Sequence, residues 1–266
     1  MVTRVVPVLL REPDGRKIEG SMTVAAGFEV AGPLISCVMV SRGVIYPAVF
    51  AIECYRRQTY ANRELIVVSA AADTSLRDMI AEIGDPTIKF VSVAPASLGD
   101  LRNISIAQSS GELICQWDDD DLSAPDRLEL QTAALAQSYS TACYFGAITL
   151  WWPARRWLAK SEARGWENTM LVKREAIPIY AAENLAEDTR VAQMLERHHR
   201  SCLILSPDSY FYVHHGLNAC GAAHFERRFE AGSLVIPEVD YNRELAAAGA
   251  RVPVADYAGF LARGGV

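Results

Sequence analysis

From Leu34 onward, short apolar runs alternate with stretches of helical spacing. Leu34-Ile35-Ser36-Cys37-Val38-Met39-Val40 is almost continuously apolar, as a strand covered on both faces would be. Ala48 to Gln58 predicts a helix, and Glu64-Leu65-Ile66-Val67-Val68 the next strand. Ser75 to Ile83 is helical, Ile88 to Val93 a strand, and Leu101 to Ser109 a helix. Glu112 to Trp117 makes a fourth strand, followed by a helix over Pro125 to Gln137. Strands separated by helices of this length predict an α/β fold with a mostly parallel central sheet flanked by helices. Ahead of it, Arg11 to Gly20 is polar and carries Pro13, Gly15 and Gly20. Residues 1–32 therefore read as an N-terminal extension containing a turn or hairpin. The regular alternation fills residues 33–140. A less regular, aromatic half spans 141–250, and a tail runs over 251–266.

Composition narrows the function classes. Half of the 266 residues are hydrophobic and 22% are charged, which supports a sizeable core and excludes wholesale disorder. The net charge of −6 argues against a nucleic-acid binder, whose footprint is basic. No apolar run reaches membrane-spanning length, and the first ten residues are too brief for a signal peptide. Peripheral membrane contact stays open. The six cysteines have no metal-ligand spacing and several sit in apolar runs, as core thiols of a cytoplasmic protein would. Neither G-x-G-x-x-G nor a P-loop is present.

The acidity is concentrated. Asp118, Asp119, Asp120 and Asp121 stand consecutively, directly after the fourth strand. This places them beyond the carboxyl end of a sheet strand, where open α/β sheets bind ligands. Four adjacent carboxylates repel one another, and a hard divalent cation such as Mg²⁺ or Mn²⁺, shared with substrate phosphates, would offset that repulsion. The alternative is a solvated acidic loop at the start of the following helix.

Leu101-Arg102-Asn103-Ile104-Ser105-Ile106-Ala107, followed by Ser110-Gly111-Glu112-Leu113-Ile114-Cys115-Gln116-Trp117-Asp118-Asp119-Asp120-Asp121, resembles the core of family 2 glycosyltransferases of GT-A, Rossmann-like fold. The resemblance extends over roughly residues 34–218. It implies a metal-dependent, inverting transfer of sugar from a nucleotide-diphospho-sugar donor to a hydroxyl on a glycan, lipid-linked or protein acceptor. Asp118 and Asp120 match the two acids of the D-x-D motif, the first near the nucleotide ribose and the second on the Mn²⁺ or Mg²⁺. Asp119 is the variable position between them. Ser41 matches the position meeting the nucleobase. Arg102 is a candidate donor contact, with helix-end packing as its alternative.

Glu187-Asp188 matches the family's E-D motif, which makes Asp188 the general base; acids are also favoured at any helix start. His215, in His215-Gly216-Leu217-Asn218, fits the family's metal-proximal histidine, with His214 as alternate. Trp166 and Glu167 are candidates for the acceptor pocket. Trp151, Trp152 and Trp157 crowd nearby, and core packing suits each of them equally well. Arg155 and Arg156 read as a solvated pair. One departure stands out: the family's second strand ends in acids that hold the base, whereas here Val67-Val68 runs into Ser69-Ala70-Ala71-Ala72, with Asp73 the first acid. That departure keeps a catalytically silent sugar-nucleotide or glycan-binding module in play. A sugar nucleotidyltransferase is the weaker alternative, since Ser41-Arg42-Gly43-Val44 lacks the expected Gly-, Arg- and Lys-rich loop.

Overall fold

The hairpin expected near the N-terminus forms, from β1 (Thr3–Arg11) and β2 (Lys17–Ala25). Gly15 makes the turn at φ 85°, a conformation that disfavours residues with a Cβ. The computed structural model describes residues 3–25, 32–43, 45–72, 74–231 and 233–262. Next come β3 (Ile35–Ser41), α1 (Ile45–Arg56), β4 (Arg63–Ser69), α2 (Ser75–Ile83), β5 (Ile88–Ser92), α3 (Leu98–Ala107) and β6 (Leu113–Gln116). Every strand and helix expected between residues 34 and 117 is present.

The second half contains β7 (Leu122–Ser123), α4 (Arg127–Ser138), β8 (Ala142–Ala147), β9 (Thr149–Trp152), β10 (Trp157–Lys160) and β11 (Leu171–Lys173). It continues with α5 (Glu187–His198), β12 (Ser201–Leu205), β13 (Tyr210–Val213), α6 (Ala222–Glu230), β14 (Leu234–Val235), α7 (Glu238–Gly249) and α8 (Val254–Ala262). A nine-stranded sheet has the order β2-β1-β12-β8-β11-β6-β3-β4-β5, and a five-stranded sheet the order β14-β10-β9-β13-β7. The block β6-β3-β4-β5 is parallel throughout. Beyond it the large sheet is mixed: β11 runs antiparallel between β6 and β8, and β1 antiparallel to β12. The N-terminal hairpin is thus the edge of the central sheet.

Alternation along the parallel strands assigns each side chain to a layer. Leu65 and Val67 face the cluster that includes Ala48, Ala51 and Ile52 of α1 and Leu128 of α4. Ile66 and Val68 face the opposite side with Leu101 of α3. Val38 and Ile114 share that opposite side with Val191 and Leu195 of α5. Gly111, between α3 and β6, is required by close approach, because a Cβ there would lie 2.6 Å from Leu34 O and Ser36 N. The C-terminal segment also joins the main core: Tyr257 is buried against Phe50 and Trp151, and Phe260 stacks on Tyr46 at 4.1 Å. Among the described residues no helix is long and apolar enough to cross a membrane.

Candidate active site

The chain leaves β6 into a turn that is anchored on both sides. Trp117 is buried, and its indole N–H donates to Ala51 O at 3.0 Å. The buried Arg127 guanidinium lies 4.6 Å from the Trp117 ring centroid. It donates to Gln116 O at 2.7 Å and to Ser123 Oγ at 3.0 Å, spanning the acidic turn.

Between these anchors the four carboxylates find different partners. Asp118 accepts from Gln116 Nε2 at 3.3 Å and lies 3.5 Å from Arg102 Nη2. Asp119 lies against the Ser41 hydroxyl. Asp120 Oδ2 meets His215 Nε2 at 3.1 Å and accepts from Asn218 Nδ2, also at 3.1 Å. Asp121 turns inward. It accepts from Tyr210 Oη at 2.6 Å, Val213 N at 2.9 Å and Asn168 Nδ2 at 3.0 Å, and so ties the turn to β13.

Burial raises the Asp118 carboxyl to about 6; Arg102 opposes this and Asp120 adds to it. Burial and the neighbouring Asp120 raise Asp119 to about 7, with the Ser41 hydroxyl opposing. Asp121 is pushed well above the usual carboxylate range by burial, then by Asp120 and Asp118. The turn therefore holds more negative charge than its protein surroundings offset.

A cation shared with a diphosphate fits that excess. Among the described residues no three His, Cys, Asp or Glu side chains converge as a complete cage. Asp120 and His215 nevertheless form an adjacent oxygen–nitrogen pair at the cleft floor. Mg²⁺-type sites commonly take one or two protein ligands and complete their shell with phosphate oxygens and water. The 3.4 Å hydrogen bond from Leu217 N–H to His215 Nδ1 makes Nε2 the protonated nitrogen, donating to Asp120. Direct ligation by His215 would exchange that hydrogen bond for the ion.

Arg102 and Asn103 of α3 organise the approach to α5. Asn103 makes reciprocal 2.9 Å hydrogen bonds with the Tyr180 backbone. Arg102 Nε donates to Glu187 Oε1 at 2.8 Å, with both side chains buried. Ala186, just before α5, is held at φ 60°, a left-handed conformation that an L-residue adopts at a cost of about 1–2 kcal/mol. Beyond it Glu187 is buried on Arg102, whereas the half-buried Asp188 lines the cleft, its Oδ1 accepting from Thr189 N–H at 2.7 Å.

The cleft measures about 770 Å³ and brings together Ser41, Arg102, Asp118, Asp119, Asp120, Trp166, Glu167 and Asp188. These come from both sequence halves. His215 closes its floor through Asp120. His214 packs away from the cleft, stacked on Trp152 at 4.0 Å. Trp151 and Trp152 are core residues, and Trp157 lies on Trp152 and Phe229. Arg155 pairs with Glu226 and Arg156 with Glu238, so these arginines contribute nothing to the cleft. Trp166 lines it at only 3% exposure, covered by the Arg164 and Arg228 guanidiniums.

At the end of β4, Ser69 Oγ accepts from Ala71 N at 3.1 Å, and Ala70, Ala71, Pro95 and Val40 give the cleft an apolar wall. Asp73 lies outside the described residues. Sequence reasoning missed Arg164, Arg228, Asn168 and the Arg127 anchor. Arg164, Arg228 and Arg127 belong to no local motif, and Asn168, within the Trp166-Glu167-Asn168-Thr169-Met170 stretch, takes its role from Asp121 and Tyr210. Asn218 was legible as the last residue of His215-x-x-Asn218.

Comparison with known proteins agrees with this geometry. The chain is 28% identical over 113 residues to UDP-Glc:alpha-D-GlcNAc-diphosphoundecaprenol beta-1,3-glucosyltransferase WfgD of Escherichia coli; the match spans 42% of this chain and 44% of that relative. Among solved structures, S. aureus TarS 1-349 superposes with a TM-score of 0.56 at 13% identity, covering 75% of this chain and 72% of that one. The mannosyltransferase PcManGT from Pyrobaculum calidifontis, in complex with GDP-Man and Mn²⁺, gives a TM-score of 0.52 at 18% identity, covering 87% and 79%. At these identities the two structures establish the shared GT-A architecture. The Glycosyl transferase family 2 profile matches residues 49–200, more than half of the chain and the span that builds the acidic turn and the start of α5, and the chain belongs to that family.

Proposed function

We propose that this protein transfers a sugar from a nucleotide-diphospho-sugar to a hydroxyl acceptor with inversion at the anomeric carbon, in a Mg²⁺- or Mn²⁺-dependent reaction. The observation that carries the reading is the convergence of Asp118 and Asp119, both raised by burial and acidic neighbours, with Asp120 and half-buried Asp188 on one 770 Å³ cleft. The relatives support it: WfgD is named for a UDP-Glc donor, TarS has been crystallised with UDP-GlcNAc, and PcManGT with GDP-Man and Mn²⁺.

In this mechanism Ser41 and the apolar wall at Ala70 and Ala71 position the nucleoside, and Asp118 and Asp119 orient its ribose and diphosphate. Asp120 and His215 would hold the divalent cation, which supplies positive charge to the departing nucleoside diphosphate. Asp188 takes the acceptor hydroxyl proton as that oxygen bonds to the anomeric carbon. The bond from the anomeric carbon to the diphosphate breaks on the opposite face, and its electron pair leaves with the nucleoside diphosphate. Arg102 fixes the start of α5 through Glu187 and thereby places Asp188.

A thermal-shift screen of nucleoside diphosphates and sugar nucleotides, with and without Mn²⁺, tests the reading. A Mn²⁺-dependent shift with at least one nucleotide, lost in Asp120→Ala, together with slow donor hydrolysis, is the expected outcome. Binding without hydrolysis or transfer across a broad acceptor panel would instead establish a silent binding module. No nucleotide binding under any condition would overturn the proposal.

A further inference from the structure

The wall of the cleft formed by residues 164–168 and α6 carries a second charged locus, opposite in sign to the acidic turn. Arg164 and Arg228 both lie against one indole, their guanidinium carbons 4.7 and 5.6 Å from the Trp166 ring centroid. Both line the same cleft as Asp120 and Asp188, as does His224. Two guanidiniums on a single ring repel each other, and Glu167 and Glu162 relieve this unequally. Arg164 is held by Glu167 and donates Nε to Gly165 O at 3.2 Å, whereas Arg228 feels Glu167 and has Glu162 at 3.9 Å, beyond hydrogen-bond distance. Burial, followed by repulsion from Arg164, lowers the affinity of Arg228 for its proton. Burial, followed by Arg228, Arg227 and Arg164, does the same to His224. These shifts go with the geometry: a partly buried cluster in which, among the described residues, no carboxylate is hydrogen-bonded to the Arg228 guanidinium.

The indole itself is nearly closed to solvent, at 3% exposure. The groups this wall presents to a ligand are therefore the Arg228 fork and the remaining Nη1 of Arg164, whose Nη2 and Nε are held by Glu167 and Gly165 O. Planar forks of this kind match phosphate oxygens in bidentate geometry. In the proposed reaction the donor diphosphate would take its place at the acidic turn, with the cation that Asp120 and His215 would hold. An anion at Arg164 and Arg228 is then a second anion in the cleft, and the remaining substrate is the acceptor.

We propose that Arg164 and Arg228, braced on Trp166, form an anion subsite that holds a phosphate or diphosphate carried by the acceptor, so that the acceptor is a phosphorylated glycoside rather than a neutral glycan. The proposal rests on the transferase reading for the word acceptor. The anion subsite itself is tested separately from that reading.

Isothermal titration of the full chain with inorganic pyrophosphate in metal-free buffer reads the subsite directly. The expected result is a single binding event weakened about tenfold by Arg228→Gln and by Arg164→Gln, the loss of one charge-assisted pair. Thermal melts check that both variants fold, and Arg228→Lys recovers part of the affinity. Binding of nucleoside diphosphate with Mn²⁺ should change less than twofold in the same variants. Unchanged pyrophosphate binding in both folded variants overturns the proposal. So does an equal loss of nucleotide affinity, which would assign the arginines to the donor. Titration with glucuronate separates the phosphate from a carboxylated sugar: Arg228-dependent binding of glucuronate but not pyrophosphate also overturns it. Failure of every nucleotide to bind, with the pyrophosphate result intact, would refute the transferase reading while leaving the anion subsite standing.

Discussion

The floor of the cleft and the layer directly beneath it are built from carboxylates taken from adjacent positions. Asp120 and Asp121 are neighbours, as are Glu187 and Asp188. In each pair one carboxyl opens on the cleft and the other is sealed. Asp121 is 3% exposed and accepts three hydrogen bonds, and Glu187 is 2% exposed on Arg102. Asp120 and Asp188 line the cleft. The sealed partners fix the backbone, and so the direction in which the open partners point. Residue type does not distinguish the two roles; burial and the donors that reach each carboxyl do. Asp121, closed off with three donors, and Glu187, closed off on Arg102, hold the fold together, whereas Asp120 and Asp188 keep part of their surface for a ligand.

The largest expected effect breaks the comparison on the open side. Asp188→Asn should lower transfer by about 10²–10⁴-fold while leaving nucleotide affinity within about twofold, because only the proton acceptor is removed. Steady-state rates and nucleotide titrations check it, and unchanged transfer would remove Asp188 from the mechanism.

On the sealed side, Asp121→Ala should cost about 3 kcal/mol or more of stability in urea titrations, leaving Tyr210, Val213 N and Asn168 without their acceptor. Asp120→Ala, one position away, should stay within about 1 kcal/mol of the parent in EDTA and lose the stabilisation that Mn²⁺ with nucleotide confers. Equal destabilisation by the two variants would erase the distinction drawn above.

Glu187→Gln should destabilise by about 2–3 kcal/mol, since it removes the ion-pair partner of a buried guanidinium. It should also lower the transfer rate more than donor affinity, through displacement of Asp188. Retention of both stability and rate would show that Arg102 needs only Asp118.

A smaller effect concerns pH. Asp118 and Asp119 titrate near 6 and 7 in the fold, against an ordinary value of 3.8. Between about pH 4 and 7 the native chain then binds more protons than the unfolded one, so stability conferred by these groups falls as pH rises through that window. Both carboxyls reach solvent through the cleft, which limits the effect to about 1 kcal/mol. Urea midpoints in EDTA should decline across the window, and less steeply in Asp119→Asn. The smallest effect is local: Ala186→Gly should stabilise by up to about 1 kcal/mol, relieving the left-handed backbone ahead of Glu187.

The parallel block was readable because both faces of its strands are apolar and its helices supply a local period. Leu65-Ile66-Val67-Val68 announces a doubly covered strand whatever lies beside it. The acidic turn was readable for a related reason: four consecutive like charges after such a strand are conspicuous. The mixed part of the sheet was not. β11 is a three-residue strand inserted between β6 and β8, and β1 joins the same sheet from the far end of the chain. Short strands with distant partners leave no periodic trace.

At the site itself, the chain alone marked the segments that the fold brings to one cleft: Ser41, Arg102, Asp118–Asp120, Glu187-Asp188 and Trp166-Glu167, with His215 against Asp120. Periodicity and local motif are properties of neighbouring residues, and they survive in one dimension. Only the tertiary structure decided which of those side chains remain available. It buried Arg102 on Glu187, turned Asp121 inward and covered Trp166 with Arg164 and Arg228. Availability depends on whether a partner arrives from tens of residues away, as Glu187, Tyr210 and Arg228 do, and that is settled by packing.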